Sequence, residues 1–136
     1  MSINWTIIIV GFLLAQVLSL LFGMVTGILG SLGHIVFSVY TSYFLATLLV
    51  GYSVKDNYEN GAVHGALVGL VGVIIGLIIG VSFALYPLLH AGSGPLILEI
   101  TTYNIVTGSI FGLIITMIIG GIGGVAGVFL GGPNKF

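Results

Sequence analysis

Nearly all the charge in this chain sits in one place. Lys55, Asp56 and Glu59 are three of its five acidic and basic side chains, and the sequence on either side of them is almost unbroken apolar. A chain that is 58% hydrophobic and 4% charged has too few polar groups to cover a soluble surface, so its solvent is lipid. A charge near the bilayer centre costs about 2.5 to 3.5 kcal/mol on insertion scales. Gathering the charges into one polar turn avoids that cost.

Crossing about 30 Å of hydrocarbon takes roughly 20 apolar residues in a helix. Four runs of that length are predicted, over residues 5–29, 31–54, 61–86 and 103–131 of a single membrane domain. The start, MSINWTIIIVGFLLAQVLSLLFG, has no Lys or Arg ahead of its apolar run and is expected to be a retained span. Asn4-Trp5-Thr6 matches a glycosylation sequon but lies too close to the membrane surface to be a good acceptor. The glycine-rich GILGSLGH, Gly27 to His34, divides the first two spans. Pro87 and then HAGSGP, His90 to Pro95, are expected to stop the third, leaving Pro87, Pro95 and Pro133 outside all spans. Glu99 then falls in the connection to the fourth, read as a short interfacial segment. The fold class is all-α, an integral membrane bundle of four transmembrane helices with glycine-rich packing faces.

Four spans put Lys55 and the tail carrying Lys135 on one side of the membrane, which the positive-inside rule assigns to the cytoplasm. The chain is therefore expected in the cell membrane, multi-pass, with both termini cytoplasmic. Trp5, Tyr52 and Tyr58 at the inner boundary and Tyr86 and Tyr103 at the outer one fit an aromatic belt.

Glycine makes up 23 of the 136 residues and lies mostly inside the spans, where it lowers helix propensity and offers no side chain to pack. At about 100° per residue, Gly61, Gly65, Gly69, Gly72, Gly76 and Gly80 share one arc of the third helix. On the fourth, Gly108, Gly112, Thr116, Gly120, Gly123, Gly127 and Gly131 form a broader stripe, and on the first Gln16, Ser19, Gly23, Thr26, Gly27 and Gly30 share a face. Small residues at this spacing let backbones approach, and in lipid such contact replaces the hydrophobic effect as the force joining helices. The helix-packing set is read as Gly61, Gly65, Gly69, Gly72, Gly76, Gly80, Gly108, Gly112 and Gly120; the other reading makes part of a stripe the lining of a pore or lipid groove. The third helix carries more small residues than one neighbour needs, which points to self-association.

Of the intramembrane polar residues, Tyr40, Tyr43 and Thr47 share a face of the second span. Hydrogen bonding within the bundle is one use for them; with Gln16 of the first span they could instead form a site for a small polar ligand. His34 and His90 are placed near one surface and His64 near the other, so the three histidines cannot make one metal site, and His64 is expected to form an interfacial hydrogen bond.

Several classes are excluded. There is no Arg and the net charge is −1, so no basic patch exists for nucleic acid. The absence of Cys removes disulfides, thiolate nucleophiles and thiol metal ligands. Val50-Gly51-Tyr52 echoes a potassium selectivity filter, but it ends a span instead of forming a re-entrant loop. Rotor-ring subunits need a midplane carboxylate, and no predicted span contains Asp or Glu. With no nucleophile–base pair at workable spacing, neither catalytic residues nor a cofactor or metal are assigned.

The segment GYSVKDNYENGAVHGALVG resembles a group of small, mostly archaeal four-span membrane proteins of uncharacterised function. Gly51, Tyr52, Asn60, Gly61, Ala62, His64, Gly65 and Ala66 carry the similarity. It implies an archaeal plasma-membrane setting and no particular chemistry. The expected function is that of a non-enzymatic structural or assembly component whose partners are lipids, copies of itself or a larger membrane complex; the alternative is a small oligomeric transporter or channel for a polar solute.

Overall fold

The computed structural model describes residues 3–27, 32–54, 57–90 and 95–132, with side chains described outside 32–36, 84, 85, 87–90 and 95–101. Four helices follow in order, α1 (Trp5–Gly27), α2 (Leu32–Val54), α3 (Tyr58–His90) and α4 (Pro95–Gly131). Each is long and apolar enough to cross a membrane. Apolar residues occupy all sides of these helices, as lipid requires. The protein is an all-α integral membrane bundle.

The helix ends follow local capping chemistry. Asn4 stands at the N-cap of α1, its side-chain oxygen accepting from the Ile7 amide at 3.3 Å, and Asn57 does the same for α3 through the Asn60 amide at 2.8 Å. Because Asn57 caps it, α3 begins at Tyr58 and not at Gly61. Glu59 accordingly lies in its first turn, where a carboxylate complements the positive end of the helix dipole. Lys55 and Asp56 lie outside the described residues, as do Gly30, Pro133 and Lys135. Gly132, at φ +72°, closes α4 in the left-handed region that glycine adopts without strain.

Two boundaries differ from expectation. The third helix runs through Pro87 to His90, and the fourth begins at Pro95, so Glu99 belongs to a helix and not to a separate interfacial segment. Pro87 falls in the last turn of α3; it lacks the amide that would bond back to the Phe83 carbonyl, and the helix ends three residues later. Pro95 occupies the first helical position, where no partner for that amide is needed. At 33 and 37 residues, α3 and α4 span roughly 50 and 55 Å, against about 35 Å for the 23-residue α1 and α2.

α2 touches all three other helices, while α1 meets α2 and α3 but not α4 among the described residues. One end of the bundle, the near end, carries the start of α1, the close of α2, the start of α3 and the close of α4. The far end carries the opposite ends of the four helices. A small core of Ile8, Ala15, Tyr43, Ala46, Val50 and Val68 lies between α1, α2 and α3.

The approach of α4 is closer and leaves no room for side chains. A Cβ at Gly69 would stand 2.5 Å from the Thr116 carbonyl oxygen and one at Gly61 2.7 Å from that of Gly124; at Gly65 it would overlap the Gly120 carbonyl. The pairs step in opposite directions along the two chains, so α3 and α4 are antiparallel. Gly51 likewise faces the Gly124 carbonyl, and Gly127 faces that of Leu48, which joins α2 to α4. With Cα hydrogens aimed at carbonyl oxygens, such contacts contribute about 0.5 to 1 kcal/mol each.

Candidate functional site

The polar residues of the bundle fall into two groups. Most hydroxyls turn back on their own helix: Ser42 donates to the Ser38 carbonyl at 2.6 Å, Thr47 to that of Tyr43 at 2.8 Å, and Thr116 to that of Gly112 at 2.7 Å. This i−4 bonding satisfies a buried hydroxyl without a second helix. The second group ties helices together.

At mid-bundle the Gln16 side-chain amide donates to the Tyr43 hydroxyl at 2.9 Å, linking α1 to α2. Tyr43 is buried, and its hydroxyl lies where a Cβ of Gly72 would stand, so glycine on α3 makes room for the phenol. Of the four residues expected to form a polar ligand site, the structure brings together Gln16 and Tyr43. Thr47 faces Gly123 of α4, and Tyr40 is half-buried and joins neither bond.

At the near end His64 is 1% exposed. Its Nε2 accepts from the Asn4 amide at 3.0 Å and its Nδ1 lies 2.8 Å from the Asn60 carbonyl oxygen. A carbonyl only accepts, so Nδ1 carries the proton, and the amide only donates, so Nε2 is bare. His34 begins α2 and His90 ends α3, at the opposite end from His64. Among the described residues no three His, Asp or Glu side chains are grouped to hold a metal ion.

The cavities are apolar grooves on the lipid-facing surface. One, about 650 Å³, runs along α3 and α4 between Tyr58 and Phe129, lined also by Ala62 and Gly121. Another, about 290 Å³, lies between Val73, Leu77, Val106 and Ile110 toward the far end.

The glycines divide in the same way along the bundle. Gly61, Gly65, Gly69 and Gly120 meet backbone across the α3–α4 seam and Gly72 meets Tyr43, whereas Gly76, Gly80, Gly108 and Gly112 have nothing within 4 Å among the described residues. Those four take no part in the backbone contact between α3 and α4 among the described residues. Gly23 and Gly27 of α1 likewise have nothing within 4 Å among the described residues.

Gly123 and Gly127, on the stripe expected along the fourth helix, meet α2, as Gly51 meets α4. Gly11, which packs on Val50 and Val68, and Gly124, which meets Gly61, were not singled out from sequence. The paired glycines at 120–121 and 123–124 were a signal, since two stripes on one helix can serve two neighbours. Asn4 was passed over as a sequon, although an Asn directly before an apolar run is an N-cap signature.

Comparison with curated proteins and with solved structures finds no match. Residues 5–130 match the family of unknown function DUF5518, and the chain belongs to that family.

Proposed function

We propose that this protein is a non-enzymatic membrane component that works by assembling, with the far halves of α3 and α4 as the assembling surface. The supporting observation is that Gly76, Gly80, Gly108 and Gly112 have no described neighbour within 4 Å. Nearer the other end, glycines at the same spacing on the same helices meet a facing backbone. A glycine facing acyl tails weakens its helix and gains no packing in exchange, whereas one facing a second helix allows close contact. Another copy of this chain, or a helix of a larger membrane complex, would supply that contact. Lys55 and Lys135 favour a cell-membrane orientation with both termini cytoplasmic, and the resemblance of the Gly51–Gly69 segment favours an archaeal setting.

Native mass spectrometry of the protein extracted from its own membrane tests this reading. Multimers or companion subunits are expected, and Gly80→Leu with Gly108→Leu should lose them while the protein stays helical. A monodisperse monomer carrying neither subunit nor lipid would overturn it. Transport past Gln16, Tyr40, Tyr43 and Thr47 draws less support, since Thr47 faces α4 and the Gln16 amide is engaged by Tyr43. Solute flux in liposomes above the protein-free level would restore it.

A further inference from the structure

We propose that α1 is a lever: its near half is fixed against α2 and α3, and its far half swings away from α2 when one hydrogen bond opens. The buried residues of α1 are Ile8, Gly11 and Ala15, all of them ahead of Gln16. Gly11 marks the pivot, since a Cβ there would fall on Val50 of α2 and stand 3.0 Å from Val68 of α3. Ile7, Phe12, Leu14 and Leu18 pack on the same core. Beyond Leu18 no residue of α1 is buried. Leu20, Leu21, Met24 and Val25 are exposed, and Gly23 and Gly27 have nothing within 4 Å among the described residues. In lipid, contact between helices is what joins them, so a helix packed along one half is held along that half. The loosely packed remainder is the part free to move.

Two polar contacts cross from α1 to α2 beyond the pivot. The Gln16 amide donates to the Tyr43 hydroxyl at 2.9 Å, and the Thr26 hydroxyl lies 3.4 Å from that of Ser38. The second contact is long, and the Thr26 hydroxyl already donates to the Phe22 carbonyl at 2.7 Å. The bond at Gln16 is therefore the latch. At about 1.5 Å per residue, Gly27 stands roughly 24 Å from Gly11, Gln16 roughly 7.5 Å and Ile8 roughly 4.5 Å. A swing of about 10° around Gly11 moves them by roughly 4, 1.3 and 0.8 Å. That breaks the latch and leaves Ile8 packed. It also takes Thr26 away from Ser38, opening a polar cleft between α1 and α2 toward the far leaflet.

The chain has no Cys, so pairs of spin labels can be placed on α1 and α4, which share no contact among the described residues. Met24→Cys with Ile110→Cys reports on the far half, and Ile9→Cys with Phe129→Cys on the near half; all four positions are exposed. In phosphatidylcholine vesicles, with labelled protein diluted in unlabelled, the far pair should show a shorter and a longer distance and the near pair one narrow distribution. Tyr43→Phe removes the acceptor of the Gln16 amide. It should raise the ratio of longer to shorter far distances about threefold to fivefold, the scale of one hydrogen bond inside a membrane, and leave the near pair unchanged. Ser53→Ala, whose hydroxyl donates to the Leu49 carbonyl of its own helix, should alter neither pair. A single narrow far distribution with Tyr43 in place would overturn the proposal without any variant. So would a ratio that Tyr43→Phe leaves unchanged, or a near pair that broadens together with the far one.

Discussion

Gly65 and Gly120 face each other across α3 and α4 so closely that a Cβ on either would fall on the carbonyl oxygen of the other. The obstacle on both sides is backbone, which cannot rotate away as a side-chain tip can. At this point of the α3–α4 seam neither helix has room for more than a hydrogen atom.

Gly65→Ala should destabilise the bundle by about 1 to 3 kcal/mol, as overpacking of a tight contact does. Gly76→Ala, with no described neighbour within 4 Å, should leave monomer stability unchanged or raise it by up to about 1 kcal/mol, the helix-propensity gain of alanine over glycine. Steric-trap unfolding of both variants in bicelles checks the contrast. Equal losses would mean that the contact at Gly65 is not what joins the helices.

Tyr43→Phe should cost about 1 kcal/mol, because it removes the acceptor of the Gln16 amide and leaves a polar group stranded in the bundle. Gln16→Leu combined with Tyr43→Phe should recover part of that loss, since both polar groups are then gone. A double-mutant cycle in the same unfolding assay measures the coupling.

Gly72→Ala should act through a different atom. The new methyl would occupy the space of the Tyr43 hydroxyl, displacing the ring and lengthening its bond to Gln16. Tyrosine fluorescence or the ring NMR signal of Tyr43 should shift in this variant and stay unchanged in Gly80→Ala.

Asn57→Ala should weaken the start of α3 by about 1 kcal/mol, the usual worth of an N-cap, and Asn57→Ser should retain most of it. Amide exchange at Asn60 and Gly61 reads the effect directly, since both amides bond to Asn57.

The four-helix membrane architecture was legible because lipid imposes a length and forbids charge, and both constraints can be read residue by residue. The helix ends were less so. Pro87 looks like a stop in sequence, yet the helix continues for three residues beyond it, and the side-chain oxygen of Asn57 starts α3 ahead of Gly61. At the candidate site, Gln16 and Tyr43 could be nominated as polar residues in lipid, but Thr47 satisfies itself on its own helix and had no need of a shared site. His64 and Asn4 are 60 residues apart, so no local pattern could pair them. Gly61 and Gly76 are equivalent in spacing; only at Gly61 does a facing backbone, that of Gly124, stand beside the helix, and spacing within one helix does not carry that information.

The unequal rods leave a mark on the bilayer. The candidate membrane-spanning parts of α3 and α4 run 26 and 30 residues, roughly 39 and 45 Å, against a hydrocarbon layer of about 30 Å. That pair cannot stand upright in an ordinary membrane with its oily surface covered, so it leans or draws thicker lipid around itself, while α1 and α2 on the other flank fit without adjustment. Hydrophobic mismatch on one side of the molecule makes the surrounding lipid lopsided, and lopsided lipid relaxes when two such sides meet.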